Sequence, residues 1–306
     1  MKESYLGIEI GGTKLQIVVA DETGTVLEQW RGAVDRQHGG DGIRRQIENR
    51  LPDLLSRFSV HGVGVGFGGP VCWKTGQVAR SFQIDGWSDF NLCKWLHAFT
   101  EVPVFVENDA NAAALAEARH GAGAGCDPVF YVTLGSGVGG GLVYGGHLFH
   151  GAAPGECEVG HLRLDRTGSD LQSRCSGWAM ADRIRSLISR EPDCHLAHQI
   201  GKTRGSEARH LIEALAQADA HAGQLLLELA EDLAFGLSHV VHLIHPEVIV
   251  LGGGLSLLGT PLQEAVTAAL DSQVMEAFRP GPRIALASLG EDAVPRGAIE
   301  LARRQG

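Results

Sequence analysis

The sequence lacks the features that mark membrane and secreted proteins, and its cysteines form no paired metal-binding motif. No apolar run approaches the ~18 residues that a membrane helix needs. Its six cysteines are scattered without a C-x-x-C pair, which favours reduced thiols and a cytoplasmic location. Met1 to Tyr5 lead directly into a predicted strand, so we expect no secretory signal. Basic residues number 26 against 36 acidic ones, and the net charge of −10 disfavours nucleic-acid and membrane-surface partners.

Glycine is abundant, with 42 of the 306 residues, and 44% of the chain is hydrophobic. This balance is typical of a globular protein, and the length suits two domains. A small-residue linker at 121–125 has the character of a hinge. We therefore expect a small N-terminal α/β lobe from residues 1–120 together with 291–306, and a larger C-terminal α/β lobe from residues 121–290.

Hydrophobic periodicity predicts alternating strands and helices in both halves. Strands are expected at 5–20 (a pair), 25–30, 63–67, 103–107, 129–144 (a pair), 248–251 and 283–287. Helices are expected at 41–58, 110–120, 178–190, 206–218, 220–244, 261–273 and 294–304, and a loop-rich stretch at 145–180. This order predicts the α/β class.

Two glycine-rich turns, at 7–14 and 130–141, each lie between predicted strands. Glycine lets backbone amides approach a bulky anion closely. Gly135-x-Gly137-x-x-Gly140 is not followed by a helix, as a dinucleotide motif requires, and Gly12-Thr13-Lys14 lacks the residue order of a P-loop. The turns indicate two lobes that grip one nucleotide, or else two plain β-hairpins.

Asp109 is the strongest candidate for a catalytic residue. It follows a predicted strand and begins a predicted helix, where substrates commonly bind in open α/β sheets. A carboxylate there can accept a proton from a substrate hydroxyl, and Asn108 and Asn111 offer hydrogen bonds to a hydroxyl-rich ligand. The alternative is an Asn-Asp helix cap without chemistry.

Two segments of the second half are also candidates for ligand binding. Glu158 and His161 lie three residues apart in a loop and can meet one ligand; a zinc site of His161 with Cys157 or Cys175, or a solvated loop, are the alternatives. A run of three glycines, 252–254, follows a predicted strand. It admits a base or ribose close to the backbone, or forms a plain corner.

Several motifs occur together in a fixed order. They are Gly7-Ile8-Glu9-Ile10-Gly11-Gly12-Thr13-Lys14, Gly66-Phe67-Gly68-Gly69-Pro70-Val71, Glu107-Asn108-Asp109-Ala110-Asn111-Ala112, Leu134-Gly135-Ser136-Gly137-Val138-Gly139-Gly140-Gly141, Glu158-Val159-Gly160-His161 and Val250-Leu251-Gly252-Gly253-Gly254. From residue 6 to about 298 the chain resembles the ROK family of sugar kinases and sugar-responsive repressors. The resemblance implies a two-lobed actin-like ATPase (ribonuclease H-like) fold with a cleft between the lobes.

The same resemblance implies ATP-dependent phosphorylation of a hexose hydroxyl, with Mg²⁺ and with glucose as the first candidate. Fructose and an N-acetyl-amino sugar are the alternatives. Asp109 matches the catalytic base, and Asn108, Glu158, His161 and Gly68 match the sugar contacts. The phosphate turns correspond to Gly11, Gly12, Thr13, Lys14, Thr133, Gly135 and Gly137, and the adenosine site to Gly253 and Gly254. Glu9 stands where the family usually has an Asp associated with the metal and phosphates. A homodimer is implied as well.

The chain departs from the family in its zinc-binding segment. Aligned on Gly177, the three ligand cysteines become Leu171, Ser173 and Trp178, so we expect no structural zinc. We expect packing of Trp178 to stabilise the 165–180 segment instead. A sugar-contacting Glu becomes Met180, which predicts weak glucose binding or a preference for another sugar.

Two non-enzymatic alternatives come from the same resemblance. A sugar-sensing repressor would carry an N-terminal helix-turn-helix, for which the first strand near Tyr5 leaves no room. A degenerate, non-catalytic sugar-binding protein is opposed by Asp109 and the phosphate turns and favoured by Met180 and the missing cysteines.

Overall fold

The structure, a computed structural model, describes residues 3–34, 38–79, 85–153, 155, 157–200 and 207–303. The chain divides into two compact units. Unit 1 comprises Met1–Ala124, Gly141–Cys157 and Leu289–Gly306, and unit 2 comprises Gly125–Gly140 and Glu158–Ser288.

The first part of unit 1 alternates strands and helices. Its elements are β1 (Glu3–Ile10), β2 (Lys14–Asp21), β3 (Val26–Ala33), α1 (Gly39–Arg57), β4 (Ser59–Phe67), β5 (Val71–Cys72), β6 (Gln77–Val78), α2 (Leu92–Thr100), β7 (Val104–Asn108) and α3 (Asp109–His120). Helix α1 buries the apolar positions that recur every three or four residues, Ile43, Ile47, Leu51 and Leu54. Helix α2 was not predicted, although Asn91 precedes it and caps it by accepting a hydrogen bond from the Lys94 amide.

Five strands of unit 1 form one sheet, in the order β3-β2-β1-β4-β7. β1 and β2 pair in antiparallel fashion, whereas β1, β4 and β7 run parallel. The register aligns Ile10 with Phe67, and Phe67 with Asn108. The carboxyl ends of three parallel strands therefore lie in one row, and the residues that follow them lie at one edge of the sheet.

The elements from residue 129 to 286 belong largely to unit 2. They are β8 (Val129–Leu134), β9 (Val138–Tyr144), β10 (His147–Leu148), α4 (Leu171–Cys175), α5 (Gly177–Arg190), α6 (His195–Ile200), α7 (Glu207–Ala216), α8 (Ala220–Ile244), β11 (Val248–Gly252), α9 (Thr260–Gln273) and β12 (Arg283–Leu286). The second sheet has the order β10-β9-β8-β11-β12. The short helices α4 and α6 were not predicted, and residue 206, the predicted start of α7, lies outside the described residues.

The last helix, α10 (Ala293–Arg303), packs in unit 1 against α3, β1 and β4. The approach is close enough to require glycine in the sheet, because a Cβ added at Gly64 would overlap the backbone of Ala298. This contact fixes the helix on the face of the strands that lead to Asp109. Among the helices of the described residues, none is long and apolar enough to cross a membrane.

Candidate active site

The first candidate site residues meet where β1, β4 and β7 end. The amide of Gly68 donates a hydrogen bond to the carbonyl of Ile10 (2.8 Å), which ties the turn after β4 to the turn after β1. A Cβ built on Gly68 would lie 3.4 Å from Oδ2 of Asp109 and 3.6 Å from Cα of Gly11. The structure thus brings Gly11, Gly68 and Asp109 together in unit 1.

Asn108 caps α3 in the way the Asn-Asp interpretation expected. Its Oδ1 accepts hydrogen bonds from the amides of Ala110 (2.8 Å) and Asn111 (3.3 Å), and its Nδ2 donates to the carbonyl of Gly69 (3.3 Å). Asp109 is half-buried, and its Oδ1 accepts from the amide of Ala110 (2.8 Å). The Ala110 amide thus holds Oδ1 of Asp109, while Oδ2 of the same carboxylate lies beside Gly68.

Glu9 lies near the end of β1 and is 5% exposed. Nζ of Lys14 lies 3.3 Å from its Oε1, and Nε2 of Gln16 donates to its Oε2 at 2.6 Å. Burial raises the pKa of the Glu9 carboxyl above its ordinary value, although Lys14 and Gln16 act in the opposite direction. Two residues from the first glycine motif, Glu9 and Lys14, are therefore paired with each other.

Unit 2 brings the second glycine turn and the triple glycine together. In the sheet, Gly252 at the end of β11 aligns with Thr133 in β8. Gly253 has φ 79°, and a Cβ there would overlap the backbone of Leu134. The turn itself is closed by a hydrogen bond from the amide of Gly135 to the carbonyl of Gly137 (3.0 Å). Within unit 2, Thr133 and the Gly135–Gly137 turn thus lie beside Gly253, at the ends of two adjacent parallel strands.

Glu158 and His161 lie at the two ends of a single turn. The amide of His161 donates to the carbonyl of Glu158 (3.0 Å), and both side chains are exposed. A Cβ on Gly160, between them, would overlap the carbonyl of Val138 in β9. The turn is therefore held against the strand that follows the second glycine turn.

The His161 imidazole faces an acidic side chain that sequence reasoning overlooked. Its Nδ1 lies 3.6 Å from Oδ2 of Asp170, and Oδ1 of Asp170 caps α4 by accepting a hydrogen bond from the Ser173 amide (2.8 Å). Against the opposing effect of burial, the Ser173 hydrogen bonds and the His161 imidazole hold the pKa of Asp170 below its ordinary value. The backbone joins the two residues as well, since the amide of Leu171 donates to the carbonyl of Leu162 (2.9 Å).

The donor set of this segment does not fit the zinc of the family pattern. Cys175 is fully buried, its Sγ lies near the carbonyl of Leu229 (4.0 Å), and burial raises the pKa of its thiol. Zinc requires thiolate, imidazole or carboxylate ligands that converge. No group of three or more His, Cys, Asp or Glu side chains that can hold a metal occurs among the described residues.

The expectation that Trp178 packs into this segment is wrong, because its side chain is 62% exposed. Trp178 lies in the first turn of α5, and Met180, two residues on, is fully buried instead. The segment is stabilised by the buried side chains of Leu171 and Cys175 and by Asp165. The carboxylate of Asp165 accepts hydrogen bonds from the amides of three following residues, Thr167, Gly168 and Ser169.

Gln172 is a second residue that the sequence analysis missed. Its Oε1 accepts a hydrogen bond from the amide of Val138 (3.0 Å), directly after the second glycine turn. The amide of Gly177 also donates to the carbonyl of Gly135 (2.7 Å). The segment that replaces the zinc ligands therefore supports the turn of residues 135–137. A family pattern built on cysteines gives no signal for this contact.

The ROK family model matches residues 5–305 of the chain. The chain belongs to the ROK family. It is 30% identical to a glucokinase of Halalkalibacterium halodurans over 98% of this chain and 95% of the relative. It is 29% identical to a kanosamine kinase of Amycolatopsis mediterranei, over 97% of this chain and 95% of the relative.

Among solved structures, a ROK family glucokinase from Streptomyces griseus in complex with glucose and AMPPNP superposes with a TM-score of 0.85. It is 32% identical, and the match covers 99% of this chain and 100% of that one. The predicted α/β class and the actin-like ATPase fold are confirmed by this likeness. The family prediction made from the ordered motifs is confirmed too.

Proposed function

We propose that this chain is a kinase that transfers the γ-phosphoryl group of ATP to a hydroxyl of a hexose, with glucose as the first candidate. The observation that carries the proposal is the position of Asp109 Oδ2 beside Gly68 and the Gly11 turn. Phosphoryl transfer depends mainly on positioning and on neutralising charge, so a base next to a phosphate turn suits it. The relatives named as glucokinases support this choice of substrates.

In the proposed reaction Asp109 acts as general base. Its Oδ2 accepts the proton of the sugar hydroxyl as the hydroxyl oxygen bonds to the γ-phosphorus. The bond between that phosphorus and the bridging oxygen breaks, and ADP leaves. Asn108 has a second amide N–H, besides the one given to Gly69, with which to bind a sugar hydroxyl. Glu158 and His161 of unit 2 remain proposed sugar contacts.

ATP would be bound by the two glycine turns and by the triple glycine. The residues proposed for its phosphates are Gly11, Gly12, Thr13, Lys14, Thr133, Gly135 and Gly137, and those for adenosine are Gly253 and Gly254. Glu9 offers the hard carboxylate oxygens that Mg²⁺ prefers, and we propose that it holds the metal that neutralises phosphate charge. Lys14, now paired with Glu9, would then offer its ammonium group to a phosphate oxygen.

An Asp109→Asn variant tests the proposal. Asparagine keeps the Oδ1 acceptor that bonds the Ala110 amide but cannot take up a proton. We expect kcat with glucose to fall by about two to four powers of ten, the range for loss of a general base, while glucose binding by calorimetry is retained. Near-native turnover in the variant would remove Asp109 from this role.

The identity of the sugar needs a separate measurement. Met180 is fully buried and apolar where the family has a Glu, and one relative is named for an amino sugar. ADP release should therefore be compared for glucose, fructose, N-acetylmannosamine and 3-amino-3-deoxyglucose. A native protein that binds one of these sugars but releases no ADP with any of them would support a non-catalytic, sugar-sensing role instead.

A further inference from the structure

A buried carboxylate lies two residues before the candidate base in the chain. Glu107, the penultimate residue of β7, is 3% exposed. Its Oε1 accepts hydrogen bonds from the amide of Asn108 (3.0 Å) and from Nδ2 of Asn111 (3.0 Å). Its other oxygen, Oε2, lies 2.5 Å from Nε2 of His150. A buried carboxylate is costly unless it is bonded, and here three donors surround it.

His150 is itself held in place by an aromatic ring. The imidazole stacks on the indole of Trp73, with ring centroids 4.3 Å apart and an interplanar angle of 19°. Trp73 lies between β5 and β6, a few residues after Gly69, whose carbonyl accepts from Asn108. His150 itself lies after β10, in the stretch of unit 1 that leads toward Glu158.

These contacts join three segments of unit 1 next to the residue that precedes the candidate base. One path runs from Glu107 through Asn108 to Gly69, and the other runs from Glu107 through His150 to Trp73. The segments of unit 1 that carry the proposed sugar contacts are therefore joined through a single carboxylate. Replacing a buried polar pair by apolar side chains is often neutral or stabilising, so stability alone does not account for these polar groups.

We propose that Glu107 and His150 are positioning residues for Asp109 and Asn108, an inference that rests on the proposed kinase function. His150 fixes the Glu107 carboxylate through Oε2. The carboxylate then fixes the Asn108 amide and the start of α3 through Oε1. Asp109 and the Asn108 side chain are thereby held in the orientation in which they meet the sugar hydroxyl.

A His150→Phe variant separates positioning from packing. Phenylalanine keeps an aromatic ring for Trp73 but loses the nitrogen that faces Glu107. We expect kcat/KM for the sugar to fall about ten- to a hundredfold, the range for leaving a buried group unpaired, with KM for ATP little changed. His97→Phe is the matched control, because it removes a histidine contact to a backbone carbonyl, that of Val102, elsewhere in unit 1. The control should leave the sugar KM unchanged.

A double variant tests whether the two residues act as a pair. If they do, Glu107→Gln with His150→Phe should be no worse in kcat/KM for the sugar than the poorer single variant, because the shared contact is lost only once. A purely structural role would lower Tm and leave kcat and the sugar KM of the folded protein unchanged, which would overturn the inference. Lack of turnover in the native protein would overturn the proposed function itself, and calorimetric sugar affinities of the same variants would then decide whether the pair positions Asn108.

Discussion

The carboxylate of Asp170 lies 3.6 Å from Nδ1 of His161, the histidine that the sequence offers either to a sugar or to zinc. The same side chain caps α4, whose Leu171 and Cys175 are fully buried. The contact with His161, the helix cap and burial thus hold the segment in which the family's three ligand cysteines are absent. A carboxylate partner can orient an imidazole much as a metal does, although an exposed pair does so more weakly.

An Asp170→Asn variant should show this orienting effect. Asparagine caps helices about as well as aspartate, so α4 should remain, while the charge that faces His161 is lost. Because the His161 side chain is 65% exposed, we expect only about a two- to fivefold rise in the sugar KM, smaller at high salt. Steady-state kinetics at two salt concentrations check this.

Asp170→Ala is the control for the cap. It should also lower the free energy of unfolding by about 1 kcal/mol, the usual cost of a lost N-cap. In all three proteins a chelator should leave Tm unchanged. One tightly held zinc per chain, released with a drop in Tm, would contradict the view that this segment is stabilised without metal.

The sequence predicted most of the fold because its signals are local. The buried run of β1, the alternation around the glycine turns and the Asn108 cap each lie within a few residues. Helix α2 was missed because a helix of nine residues carries little more than two turns of periodicity. Helices α4 and α6 were missed because five or six residues carry even less.

The site was predicted less completely, since several of its contacts join distant parts of the chain. Glu107 and His150 are 43 positions apart, and Gln172 reaches Val138 across 34. Neither spacing nor residue type marks such a pair in a single sequence. The expectation for Trp178 is wrong for a different reason, because size and hydrophobicity suggest burial but do not reveal which way a helix faces.

Two glycines of unit 2 allow a test of the proposed nucleotide site without a change in folding. A Cβ on Gly254 meets no atom within 4 Å, and one on Gly135 makes only ordinary contacts at 3.8 and 3.9 Å. Gly135→Ala and Gly254→Ala should therefore leave Tm nearly unchanged or slightly higher. If these backbones approach ATP, KM for ATP should rise about ten- to a hundredfold, with the sugar KM little affected.

Gly253→Ala is the informative contrast. Its φ of 79° and its contact with Leu134 make any side chain strained, so this variant should lose stability as well as activity. Unchanged ATP kinetics in both Gly135→Ala and Gly254→Ala would remove these residues from the proposed nucleotide site.

The packing of α10 on the first sheet predicts a large effect from one methyl group. Gly64→Ala would push against the backbone of Ala298, which cannot rotate away as a side chain can. We expect unfolding free energy to fall by about 1–3 kcal/mol or more, as overpacking does. Gly223→Ala in α8 is the control, because it meets nothing within 4 Å and should stabilise by about 0.5–1 kcal/mol. Equal unfolding curves for the two variants would show that α10 can shift freely.

We expect removal of the Glu9 charge to have opposite effects on stability and on activity. Its pKa is raised by burial, so the folded state holds a proton more readily than the unfolded state does. Stability therefore falls as pH rises above 4.5, and the full penalty is present above the raised pKa. Glu9→Gln removes the charge at nearly constant volume, and the exposed Glu22→Gln is the control.

We expect Glu9→Gln to be at least as stable as the native protein at pH 7 to 8, and the difference to shrink as pH falls toward 4.5. The reason is that a protonated carboxyl and an amide are alike in charge. Turnover with Mg-ATP should nevertheless drop, since an amide oxygen is a weaker ligand for Mg²⁺ than a carboxylate. Denaturation at several pH values and kinetics at varied Mg²⁺ measure both effects. A variant that is less stable at pH 7 and approaches the native protein only on acidification would mean that the pairing with Lys14 and Gln16 outweighs burial, and that this carboxylate is kept for the fold rather than for the metal.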